Sequence, residues 1–323
     1  MSPRGGRAEM VDFLALVTNP NIFNQFPHTV LAGLVTSAFF IMGISAYHML
    51  RGSHPEIFRP SMRLGIITGL LATVLVIITG HISGLHMTQV QPMKIAAANA
   101  QWETASYAPL NLVAWIDQQQ EKNSMVLAIP ALESFLAHNS FSAEVKGIKD
   151  IQREMEARFG PGYYVPPVAL TFWSFRIMVA AGFWMLFLVL YAYYLERKGK
   201  LESSPGVLKA LLYTIPVPYI ANTCGWIMAE VGRQPWIVYG LQRIEEALSP
   251  CVTSGQLLIT LVGFTLVLGI LAGVDAWLLA RFAREVPVTA PKGEGGAFPC
   301  GIKCDMVYPH RGAVRRLLFP GGF

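Results

Sequence analysis

Residues 64–85 read LGIITGLLATVLVIITGHISGL, a run with no Asp, Glu, Lys or Arg. About 20 mainly apolar residues in a helix cross the hydrocarbon core of a bilayer. A helix can do so because it satisfies its backbone hydrogen bonds within the segment. Four other stretches share this character, near 28–50, 168–195, 207–230 and 257–280. Gly33, Ser37, Gly65, Gly69, Ala180 and Gly182 lie in these stretches. Small residues there let membrane helices approach closely. The composition agrees. Of 323 residues, 53% are hydrophobic and 14% charged, where a soluble domain carries about 25% charged. The expected fold is all-α, a polytopic membrane helical bundle of about five transmembrane helices.

Basic residues then set the topology. Arg51, Arg59 and Arg63 follow the first helix, and Arg197, Lys198, Lys200 and Lys209 follow the third. Arg281, Arg284, Lys292, Lys303, Arg311, Arg315 and Arg316 follow the fifth. All three segments fall on one side, which the positive-inside rule makes cytoplasmic. The expected divisions are an outer segment 1–27, helices one and two over 28–85, an outer loop 86–167, helices three to five over 168–286, and a cytoplasmic tail 287–323. Within the loop, 96–102 and 147–159 read as amphipathic helices. The net charge of +5 belongs to topology and predicts no nucleic-acid partner. The partner it implies is the lipid bilayer. In the tail, Cys300, Cys304 and His310 make three ligands, where structural zinc takes about four.

Few polar residues lie inside the helices, and intramembrane ionisable groups mark function by default. His28 follows Pro27, and an imidazole there suits either haem iron or interfacial water. Met178 lies about 15 Å along the third helix at ~1.5 Å per residue. A thioether with an imidazole makes a Met/His haem pair, although methionine also fills apolar gaps. Arg176 either meets an anionic ligand or snorkels to the interface. Trp226 and Glu230 share one helix face, four apart. Glu230 and Arg233, three apart, also explain each other as an ion pair. Helix one starts, helix three descends and helix four ends at the outer face. His28, Met178 and Glu230 therefore converge in the outer half, between facing helices. A channel or transporter would want charges along a midplane path, which the helix centres lack.

Gly225-Trp226 through Glu230, then Gly232-Arg233-Gln234-Pro235-Trp236, resemble the signature of subunit I of cytochrome bd ubiquinol oxidase. Phe175-Arg176-Ile177-Met178-Val179-Ala180 and His28-Thr29 resemble its haem-ligand segments. Gln91-Pro92-Met93-Lys94 with Trp102-Glu103-Thr104 resembles its quinol-loop start. The resemblance covers about 19–287 and implies roles. His28 and Met178 would be axial ligands of a low-spin haem b, supported by Arg176. Glu230 would serve a second haem b as iron ligand, with Trp226 and Arg233 beside it. Lys94, Trp102 and Glu103 would belong to the quinol site. The implied enzyme is a quinol:dioxygen oxidoreductase of the bacterial cytoplasmic membrane, acting with subunit II. Its N-terminus would be outside and its C-terminus cytoplasmic.

Three departures qualify this. The family's glutamate five residues after the loop lysine is Asn99 here, and an amide cannot accept a quinol proton as a carboxylate can. His81 stands where the family often has an acid. The resemblance also lacks about four family helices ahead of His28, so haem d is expected only if another chain, such as a separate N-terminal half of subunit I, supplies them. The alternative is a non-catalytic paralogue that keeps the bundle without turnover.

Overall fold

A computed structural model describes residues 2–4, 7–10, 12–247 and 251–285. The chain divides into units 1–284 and 285–323. Of the second, only Glu285 is described, so Cys300, Cys304, His310 and the expected tail lie outside the described residues.

Ten helices are described: α1 (Phe13–Val17), α2 (Pro20–Leu50), α3 (Pro55–Val90), α4 (Pro92–Asn99), α5 (Leu132–His138), α6 (Ile148–Phe159), α7 (Val168–Arg197), α8 (Pro205–Tyr213), α9 (Val217–Val231) and α10 (Ser254–Phe282). The expectation of an all-α chain needs correcting. The described residues also hold four antiparallel strand pairs: β1 (Ser2–Arg4) with β2 (Arg7–Glu9), β3 (Ala105–Ser106) with β6 (Glu144–Val145), β4 (Leu110–Asp117) with β5 (Lys122–Ile129), and β7 (Trp236–Val238) with β8 (Gln242–Arg243). The largest, β4–β5, builds the middle of the long loop. Asp117 turns this hairpin by accepting from the Gln119 and Gln120 N–H groups, an Asx turn.

Among the described residues four helices, not five, are long and apolar enough to span a membrane: Phe13–Leu50, Pro55–Val90, Val168–Arg197 and Ser254–Phe282. The expected fourth span, 207–230, is two helices, α8 and α9. The break falls where Pro216 and Pro218 have no N–H to continue the ladder. The first span also begins earlier than 28. Asn19 caps α2 by accepting from the Asn21 N–H at 2.9 Å, and Pro20 occupies the first turn. Pro27 is thus inside the helix rather than at its start, and His28 lies two turns in. The expected outer segment 1–27 is helical from Phe13 onwards. In the loop, the helix expected at 96–102 is α4, which ends when Ala100 turns left-handed at φ 49°. That expected at 147–159 is α6.

The bundle is packed by small residues and methionine. A Cβ on Gly65 would stand 2.7 Å from Met42 Cγ and 3.3 Å from the Ala38 carbonyl. Gly69 lies on the same seam, whereas Gly33 and Gly182 have nothing within 4 Å. Phe39, Met42, Met62, Ile66, Val189, Leu208 and Leu211 are buried together. Leu64, Leu71, Leu75 and Ile78 point outward, as lipid-facing residues do. α10 has no buried residue and touches the bundle where His48 Nε2 lies 2.9 Å from the Ala283 carbonyl oxygen.

The loop has its own core. Trp102, Ile148, Ile151, Met155 and Tyr164 pack with Phe172 at the start of α7 and Trp236 just beyond α9. Trp236 stacks on Tyr164 at 5.6 Å and 16°. It is a core residue. This core ties the loop to the ends of α7 and α9.

Candidate functional site

The loop side of the bundle carries two polar clusters. The first forms where α4 meets the end of α9. Gly232 makes the approach possible. A Cβ there would stand 2.6 Å from the Met228 carbonyl oxygen and 3.1 Å from both Lys94 Cγ and Thr171 Cγ2. Lys94 is buried. Burial pushes its ammonium down to about 8; the Arg233 charge acts in the same direction and the Glu230 charge opposes. Glu230 and Arg233 form their ion pair, each side chain about 40% exposed at 41% and 40%. The structure thus brings Lys94, Glu230 and Arg233 together. Trp226, sharing the Glu230 face, is 66% exposed.

The second cluster is buried. Arg176 Nε donates to the Asn111 carbonyl and its Nη2 to Asn99 Oδ1, both at 2.6 Å. Asn99 Nδ2 donates to Glu133 Oε1 at 2.5 Å. Asn111 Nδ2 donates back to the Asn99 carbonyl at 2.9 Å. The guanidinium lies 4.7 Å from the Phe172 ring centroid. Glu133 is 1% exposed. Burial raises its carboxyl to about 8, opposed by the Arg176 charge and the Asn99 hydrogen bond. Sequence reasoning missed Glu133. Its signal was an acid inside the otherwise apolar run VLAIPAL–SFL at 126–136, since carboxylates are almost never fully buried unless paired.

His28 and Met178 lie deeper in the helices. His28 Nδ1 is 3.2 Å from Thr79 Oγ1. Thr79 spends its single hydroxyl hydrogen on the Leu75 or Val76 carbonyl. With that hydrogen on a carbonyl, Oγ1 can accept from the Nδ1–H tautomer of His28, which leaves the Nε2 lone pair free for a ligand. A Cβ on Gly80 would be 3.3 Å from His28 Cε1. Met178 Sδ faces α9, 2.9 Å from where a Gly225 Cβ would stand. Trp102 and Glu103 make their hydrogen bonds elsewhere. Trp102 is in the loop core and donates to Asn123 Oδ1 at 2.8 Å. Glu103 is exposed and pairs with Lys149 at 2.5 Å. His81 meets Asn139 Oδ1 through Nε2 at 3.0 Å.

Residues 1–287 match the family described as cytochrome bd terminal oxidase subunit I. The chain belongs to that family. It is 43% identical over 284 residues to cytochrome bd ubiquinol oxidase subunit 1 of Bacillus subtilis, covering 88% of this chain and 60% of that protein. It is 33% identical over 338 aligned positions to cytochrome bd-II ubiquinol oxidase subunit 1 of Escherichia coli, covering 87% of this chain and 66% of the relative. The solved bd oxidase of Geobacillus thermodenitrificans superimposes with a TM-score of 0.76 at 30% identity, over 88% of this chain and 64% of that one. The chain thus spans about 60–66% of the length of these relatives. As a bd subunit I homologue with four long apolar helices, it is a multi-pass membrane protein.

Subunit I of this family implies haem, and the residues present fit one. His28 offers Nε2 with Nδ1 held by a hydrogen bond, the arrangement that orients a ligating imidazole. Met178 offers a thioether beside a glycine on the facing helix. Among the described residues no three His, Cys, Asp or Glu side chains gather as a bare metal-ion site. An N/S donor pair on two helices suits haem iron instead.

Proposed function

We propose that this chain is the quinol- and haem b-binding part of subunit I of a bd-type quinol:dioxygen oxidoreductase, working with subunit II in the bacterial cytoplasmic membrane. The observation that supports this best is the meeting of Lys94 on the loop helix α4 with Glu230 and Arg233 at the end of α9. It joins the loop helix α4 to the end of α9, which carries Glu230. His28 and Met178 would hold a low-spin haem b, and Glu230 would serve a second. Haem, when bound, supplies a one-electron acceptor. Lys94, buried beside an ion pair, donates hydrogen bonds to a quinol oxygen. Arg176 orients the Asn99 amide. Trp102, through Asn123, holds the end of α4 against the hairpin, and Glu103 ties the loop surface to α6. Haem d would be held by residues outside this sequence, in the same polypeptide or in a partnering N-terminal half. The N-terminus would lie outside and the basic connections inside.

Low-spin haem b should show in reduced-minus-oxidised spectra of the purified membrane protein and vanish in His28→Ala and in Met178→Ala. Unchanged spectra in both variants would sink the ligand assignment. The second reading, a non-catalytic paralogue, draws on Asn99, which cannot take a proton. Quinol-dependent oxygen uptake by the assembled complex separates the two, since a paralogue shows none.

A further inference from the structure

Asn99 leaves a proton without a home next to Arg176, and the buried cluster shows where one can go. Arg176 has only donors to offer, so Asn99 must turn Oδ1 towards it and Nδ2 away. Nδ2 then meets Glu133 Oε1. The amide bridges a fixed positive charge to a carboxyl. The other oxygen, Glu133 Oε2, is buried without a hydrogen-bond partner among the described residues. A carboxylate with one oxygen anchored and the other bare leaves a vacant proton position. Buried polar atoms are satisfied in the great majority of cases, so this one marks a place where something transient is held.

We propose that Glu133 is the proton acceptor of the quinol site, a reading that rests on the function proposed above. In the step, the O–H bond of a hydroquinone breaks and an O–H bond forms at Glu133 Oε2. The hydroquinone is left as its monoanion. The negative charge moves from Glu133 to the hydroquinone anion.

The surroundings are consistent with this. From α7 the charged group is Arg176, and from α4 and β4 the neighbours are the neutral amides Asn99 and Asn111. From α3 the titratable group is His81, held by Asn139 and stacked on Phe135. On α5 itself it is His138, and on β6 the exposed Glu144. The carboxyl, raised by burial to about 8, is a stronger base than an ordinary carboxylate. General bases work best with a pKa near the operating pH.

The test uses the complex purified from its own operon. Quinol oxidation by the wild type should rise with pH to a plateau above about 8. Glu133→Gln should lower the rate about 100-fold, within the range for a general base, and remove that limb while keeping the low-spin haem spectrum. Asn99→Glu in the Glu133→Gln background should recover at least about tenfold, because it returns a carboxylate to Arg176. Infrared pH-difference spectra should show a protonated-carboxyl band titrating near 8 that Glu133→Gln deletes. This readout needs no turnover. If wild type oxidises quinol and Glu133→Gln keeps both rate and limb, or the band persists, the inference falls and the proposed function stands. If the wild type shows neither haem b nor turnover, the proposed function itself falls.

Discussion

The two polar clusters sit on the same side of the bundle and differ in almost everything else. Lys94, Glu230 and Arg233 meet at a rim where the Glu230–Arg233 pair is about 40% exposed (41% and 40%). Arg176, Asn99, Asn111 and Glu133 are each under a tenth exposed, at 9%, 6%, 5% and 1%. Exposed ion pairs are worth about 0–1 kcal/mol, because water screens them and the side chains lose entropy. A buried charged network gains little over an apolar core when complete, but removing one member strands the rest. The rim cluster is thus open to water, whereas the buried cluster holds a carboxyl away from it, where its proton affinity is raised.

The comparison breaks most severely at Arg176. Arg176→Leu leaves Asn99 Oδ1 and the Asn111 carbonyl without their donor and Glu133 without its opposite charge. Its expected cost is about 3–5 kcal/mol, read as a fall in thermal unfolding temperature in detergent. Next comes Gly232→Ala. Its Cβ would stand 2.6 Å from a backbone oxygen, so α9 or α4 must shift, at about 1–3 kcal/mol as for overpacking. Weakened quinol-analogue binding would report the lost approach of Lys94.

pH sharpens the comparison. The Glu133 carboxyl is raised from an ordinary value near 4.5 to about 8. Between those values the folded state holds a proton that the unfolded state has released, so stability from this group falls as pH rises through that window. Glu133→Gln should flatten that slope in unfolding curves taken from pH 5 to 8. Lys94 has the opposite sign. Its value is lowered from 10.5 to about 8, so the unfolded state binds the extra proton between 8 and 10.5 and stability rises with pH there. The smallest effect is expected at Arg233→Ala, at about 1 kcal/mol or less. A loss as large as that at Arg176 would show that the rim pair is structural and erase the distinction drawn between the clusters.

Much of this was readable before the structure. Residues 64–85, 168–195 and 257–280 announced three of the spans by length and hydropathy, and GRQPW announced the family. The errors have local causes. The stretch 207–230 is apolar enough to span, but Pro216 and Pro218 interrupt its backbone ladder, which hydropathy does not register. Pro27 looked like a helix start, but Asn19 supplies the cap earlier. The hairpin β4–β5 was hidden because no Asn-Gly or Asp-Gly turn marks it. Among candidate site residues, the Glu230–Arg233 ion pair formed as its spacing implied, and Lys94, grouped in sequence with Trp102 and Glu103, lies beside that pair instead. Trp102 and Glu103, close to Lys94 in sequence, have other partners, Asn123 and Lys149.

The sequence by itself determined a membrane bundle of this family, because apolar length and a contiguous motif are properties of single segments. It also determined that position 99 is an amide and so cannot carry a proton. Only the tertiary structure decided where a carboxyl stands instead. Glu133 is 34 residues from Asn99 and lies on a different helix. The two meet because α4, β4, α5 and α7 pack around Arg176, and which residues a buried charge selects as partners is a property of that packing.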